Sequence, residues 1–146
     1  MAIATTASLL RLSKEEQLML ADPAEDIRDK KVLDKGGEVI AEVEDLLIDE
    51  KDHKVRFMMV GSGGFGPRKI GKKKFLIPVD AITEIDDAGV HVDQLVDKIV
   101  GSPEYDPEVV PVPVYWETVY GWYGYYPFWG PAYRYPPYPY FRYRRW

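Results

Sequence analysis

Cysteine is absent from the 146 residues. Disulfides, thiol nucleophiles and thiolate metal sites are therefore excluded. Histidine occurs twice, as His53 and His91. They are far apart in sequence, and neither has a ligand partner at a zinc-like spacing. No metal or cofactor is expected. No apolar run approaches the roughly 18 residues of a membrane span. The opening MAIATTASLLRLSKEEQ has no basic stretch followed by a long apolar core, so a secretory signal is not expected. A reducing, cytoplasmic setting fits these absences, with membrane association only through a partner. Uniform positive charge is missing too. The net charge is −5, and a nucleic-acid partner is disfavoured.

Catalytic motifs also fail, each at a position its chemistry requires. Gly61-Ser62-Gly63-Gly64-Phe65-Gly66 spells G-x-G-x-x-G after a strand. A dinucleotide site needs a helix to start there. Pro67-Arg68-Lys69 follows instead, without an apolar helical period. Gly66 to Lys73, GPRKIGKK, nearly spells a phosphate loop, but Lys73 stands where a Ser or Thr must bind magnesium. Asp49, Glu50 and Asp52 lack the calcium-loop pattern. Ser13, Ser62 and Ser102 have no nucleophile context. No catalytic residue is assigned, and the chain is expected not to be an enzyme.

What is present is β-rich patterning. The stretch Asp26 to Asp49, DIRDKKVLDKGGEVIAEVEDLLID, predicts a strand at Lys31–Leu33, a turn at Asp34-Lys35-Gly36-Gly37 and a long second strand. The glycines supply the positive φ of a tight hairpin. Val39, Ala41 and Val43 alternate with mostly polar neighbours; Leu46 and Ile48 continue one residue out of phase. A β-bulge at Glu44-Asp45 would absorb the slip and bend the strand. Further strands are predicted at Lys54–Val60, Lys74–Val79, Ala81–Ile85 and Val90–Val92. Pro78 marks an edge or a strand end. Asp93 is expected to cap a short helix, Gln94–Val100, with Leu95 and Ile99 inside. Val43, Leu46, Ile48, Phe57, Ile77 and Ile82 are the predicted core. The first 12 residues are expected to fray. Ser13-Lys14-Glu15-Glu16 fits a capping box for a helix to Ala21; an extended lead-in fits equally well.

This stretch, followed by VRFMMVGSGGF, FLIPVDAI and SPEYDP, resembles the PRC-barrel family over roughly residues 22–107. The family usually has glycine where this chain has Asp29 and Ala41. The resemblance implies a small, mostly antiparallel β-barrel with a short C-terminal helix, residues 1–21 as a lead-in and residues 108–146 as a tail. It implies a docking module and supplies no catalytic residues. Family members occur in the H subunit of photosynthetic reaction centres and in a ribosome-maturation factor. An accessory subunit on the cytoplasmic face of a membrane complex, and an RNA-processing or ribosome-assembly helper, are thus the alternatives to a protein adaptor.

The composition changes at Pro111. Residues 111–146 hold 16 aromatic residues and seven prolines, and all four tryptophans. They carry four Arg and one Glu, net +3, which leaves −8 on the rest. Glycine and proline every few residues argue against a long helix or a central strand, and predict an extended, polyproline-like course in the second half of the tail. Trp116, Tyr120, Trp122, Tyr125, Trp129, Arg134, Arg142, Arg144, Arg145 and Trp146 are the candidate partner-binding set, since aromatic and Arg anchors dominate interfaces. A membrane interface or stacking on single-stranded RNA uses the same chemistry; so does a tail that wraps its own barrel. Arg68, Lys69, Lys72, Lys73 and Lys74 form a basic loop that could contact anions, or that simply discourages edge pairing. The favoured reading is an adaptor whose tail recognises a protein partner or a second copy. On that reading, deleting residues 111–146 leaves the barrel folded.

Overall fold

A computed structural model describes residues 9–11, 18–20, 26–49, 54–61, 73–106, 113–125 and 141–143. The elements are β1 (Leu9–Arg11), β2 (Leu18–Leu20), β3 (Lys31–Leu33), β4 (Val39–Asp49), β5 (Lys54–Gly61), β6 (Phe75–Pro78), β7 (Ile82–Asp86), β8 (Gly89–Val92), α1 (Val96–Val100), α2 (Pro113–Tyr123) and β9 (Phe141–Tyr143). A single 3-10 turn, Val79–Ala81, joins β6 to β7.

The main sheet runs β6-β5-β4-β3-β8-β7, and β1 pairs with β4 beyond the end of β3. The β3–β8 pair is parallel and the other ladders of this sheet are antiparallel, so the sheet is mixed but mostly antiparallel. Among the described residues no ladder joins β6 to β7. The sheet is nevertheless rolled. Its two edge strands are consecutive in the chain and only three residues separate them. Six flat strands would hold those edges about 24 Å apart. Four Cα steps reach at most about 14 Å, so the edges must curl toward each other.

Bulges supply the curvature. Val43 pairs with Val60 and Asp45 with Met59, which leaves Glu44 as the extra residue, as the phase slip in the sequence predicts. A second bulge is on β5: Leu47 pairs with Phe57 and Ile48 with Val55, so Arg56 is extra. Each bulge turns a charged side chain out of the alternation. Lys74 pairs with Glu44, and Arg56 Nη2 lies 3.2 Å from Asp49 Oδ2 in the interior. Pro78 lies on the edge strand β6, opposite Phe57, where its missing N–H breaks no second ladder.

The β3–β4 turn uses one glycine in the left-handed region, Gly37 at φ 85°. Asp34 does the remaining work. Its Oδ1 accepts from Gly36 N–H at 2.9 Å and Glu38 N–H at 3.1 Å. Its Oδ2 accepts from Val96 N–H at 3.1 Å, the first residue of α1. The helix cap thus comes from a hairpin turn 62 residues away. The predicted cap Asp93 and start Gln94 are corrected. The flanking residue Leu95 faces solvent, whereas Ile99 is buried.

The core includes Val43, Leu46, Ile48, Phe57 and Ile77, all fully buried. Ile82, predicted with them, is half-buried where β7 begins. Ile40 is buried as well as Ala41, so β4 packs on both faces rather than one. Both ends of the chain add strands. Leu9–Arg11 pairs with Leu47–Asp49, although fraying is the expectation there, and Arg11 Nε donates to buried Asp45 at 2.8 Å. Leu18–Leu20 is a strand rather than the end of a helix, and pairs with Phe141–Tyr143. The capping-box residues 13–16 lie outside the described residues.

Candidate functional site

The tail contains a helix. α2 is 11 residues long and corrects the expectation that proline and glycine leave the tail without a long helix. Pro113 opens it, where a missing N–H breaks no bond. Gly124 at φ 81° closes it: Tyr125 N–H donates to Tyr120 C=O at 3.2 Å and Gly124 N–H to Gly121 C=O at 3.2 Å. These are the paired bonds of a left-handed glycine cap. The proline and glycine that argue against a helix in composition are its two ends.

Trp116, Val119, Tyr120 and Tyr123 recur at i, i+3, i+4 and i+7, and all four are buried. The Trp116 and Tyr120 ring centroids each lie 5.4 Å from that of Phe57 on β5, tilted and edge-on respectively. The tyrosine hydroxyls find partners. Tyr120 donates to Asp80 Oδ1 at 2.8 Å, Tyr115 to Pro103 C=O at 3.2 Å, and Tyr123 to Ser102 Oγ at 3.4 Å. Burial pushes the Tyr115 hydroxyl well up, and that of Tyr123 up to about 12. Trp116 and Tyr120 are therefore core residues, not free anchors. Their rings are occupied inside their own domain.

Trp122 stands on the other side of the helix. The residue is 39 % exposed, yet its ring is held on three sides. Nε1 donates to Lys98 C=O at 2.7 Å, and Lys98 Nζ lies 4.7 Å from the ring centroid. Gly101 is the floor: a Cβ there would come within 3.0 Å of Trp122 Cζ2. Leu95, 53 % exposed, precedes Lys98 by one helical turn. Among the described residues Leu95 and Trp122 are the exposed large apolar side chains, and Lys98, which holds Trp122, donates its backbone N–H to Leu95 C=O at 2.9 Å. Tyr125 borders this surface, half-buried; its hydroxyl donates to Asp93 Oδ1 at 2.7 Å and accepts from Gln94 Nε2 at 3.1 Å. Burial, then the Asp93 bond, raises its pKa.

Of the other candidates, Arg142 lies in β9, opposite Met19. Trp129, Arg134, Arg144, Arg145 and Trp146 lie outside the described residues, as do Arg68, Lys69 and Lys72 of the basic loop. Lys73 is exposed, while Lys74 pairs with Glu44. His53 is outside the described residues. His91 is within them, and the β7–β8 hairpin brings Glu84 and Asp86 to it, a constellation that spacing alone did not reveal. Its signal was Glu84-x-Asp86 followed by a turn and His91 on the returning strand.

The family model for the PRC-barrel domain matches residues 20–99. That is more than half of the chain, and the chain belongs to the PRC-barrel family. Among curated proteins, none matches the sequence.

Proposed function

We propose that this chain is a non-enzymatic PRC-barrel adaptor that docks another protein, or a second copy of itself, through the outer surface of α1 and α2. The observation that carries this reading is Trp122. An exposed tryptophan fixed by a hydrogen bond, a cation and a glycine floor loses little freedom on binding, as a pre-organised anchor should. Leu95, one turn before Lys98, is a second exposed apolar side chain at the start of α1, and Lys98 gives Trp122 a charged margin. Beyond Tyr125 the sequence continues the same chemistry in Trp129, Arg134 and the terminal arginines. Among the described residues no helix is long and apolar enough to cross a membrane. A cytoplasmic location belongs to this proposal and not to that observation.

The test is a quantitative pull-down from native extract, with light scattering for self-association. Trp122→Ala should weaken association by more than about 1 kcal/mol, or fivefold. Gly101→Ala should do the same by displacing the ring rather than deleting it. Lys73→Ala should leave association unchanged. If Trp122→Ala keeps every partner and the same oligomeric state, this surface is not the docking site.

A further inference from the structure

We propose that the β7–β8 hairpin binds one divalent ion of the borderline transition series, such as zinc, cobalt or nickel, through Glu84, Asp86 and His91. Cross-strand register brings the three together. Glu84 lies directly opposite His91, and Asp86 follows Glu84 by two residues, on the same face of β7. One ligand atom from each side chain lies within 4.8 Å of the others. A shared ion about 2.0–2.2 Å from each would draw them to roughly 3–3.5 Å. Asp86 Oδ2 and His91 Nε2 are already 3.0 Å apart.

Asp86 divides its labour. Oδ1 accepts from Ala88 N–H at 2.9 Å and from Gly89 N–H at 3.2 Å across the turn. This fixes the carboxylate and leaves Oδ2 on the His91 side. Glu84 and Asp86 are exposed and His91 is half-buried, so waters can complete the coordination shell. The donor set decides the class of ion. One imidazole and two carboxylates suit zinc, cobalt or nickel. Magnesium and calcium prefer sites made of oxygen alone.

The chain itself makes the experiment clean. With no cysteine and two histidines, thiolates cannot compete and one substitution removes the site's imidazole. The full chain, freed of metal by chelator, is titrated with zinc chloride in a calorimeter. Magnesium chloride is the control. The expected result is one zinc per chain, no magnesium binding at the same concentration, and a zinc-dependent shift of the His91 ring resonances in NMR spectra. His91→Gln and Glu84→Gln should each weaken zinc binding at least tenfold, while His53→Gln leaves it unchanged. Both substituted side chains are outside the core, and melting curves without metal verify that the variants fold. Absence of saturable zinc binding would overturn the proposal. So would binding that survives His91→Gln or disappears with His53→Gln.

Discussion

Asp29 is the one non-glycine residue with positive φ among the described residues, at 70°. It stands where the family usually has glycine, and it keeps that backbone: its N–H donates to Val43 C=O at 2.7 Å. Left-handed backbone costs a side-chain-bearing residue about 1 kcal/mol. Asp29→Gly should therefore stabilise the fold slightly, by up to about 0.5 kcal/mol, after allowance for the freer unfolded chain. Urea denaturation checks this; a destabilised variant would show that the aspartate side chain, not the backbone, sets the turn. Asp34 shows the opposite case, a side chain that cannot be spared. It joins two elements through three N–H groups. Asp34→Ala should cost about 2–3 kcal/mol by removing a turn and a helix cap together. The sequence displayed Asp34 as an ordinary turn residue. That it also caps α1 was not legible, because nothing local links positions 34 and 96.

At the scale of elements, legibility followed local pattern. The bulge at Glu44 was visible because a slip in period-2 alternation has a geometric meaning. The bulge at Arg56 was not, since a charged residue in an alternating strand looks like an outward-facing one. α2 was missed for another reason. Its i, i+3, i+4, i+7 aromatic period was there to read, but proline and glycine were weighed as breakers rather than as ends. The exposed side of α2 was legible in part. The tail was singled out, yet only the helix phase separates Trp122 from Trp116. The helix also gives the protein an alkaline limit. Burial raises the hydroxyl pKa values of Tyr105, Tyr115, Tyr123 and Tyr125 in the fold. In the unfolded chain they ionise near 10. Above that pH the unfolded chain releases protons that the fold retains, so stability is full below about pH 10 and falls as pH rises toward 12. Melting temperature should drop over that window, with tyrosinate absorbance rising in step with unfolding. Early ionisation of all tyrosines in a still-folded protein would contradict the buried placement of α2.

At the scale of the whole molecule, the sheet is rolled by bulges and by the short β6–β7 link, and α2 packs against its core. Trp116, Val119, Tyr120 and Tyr123 lie in the same core as Phe57. The parallel β3–β8 pair depends on Gly89, whose backbone at φ 139° and close approach to Lys31 C=O leave no room for a Cβ. The match to the family model ends at residue 99, but the folded unit does not. The central claim is that α2 is divided, with one face building the domain and Trp122 left exposed. The direct measurement is thermal melting of two truncations, one ending at residue 110 and one at residue 125. Loss of α2 uncovers Phe57 and removes four buried side chains, where a single large-to-small change already costs about 3–5 kcal/mol. The account predicts that the chain ending at residue 125 melts cooperatively, close to the full-length protein, and that the chain ending at residue 110 loses its cooperative transition or melts far lower. Equal melting of the two truncations would contradict it, and would return α2 to the role of a detachable arm.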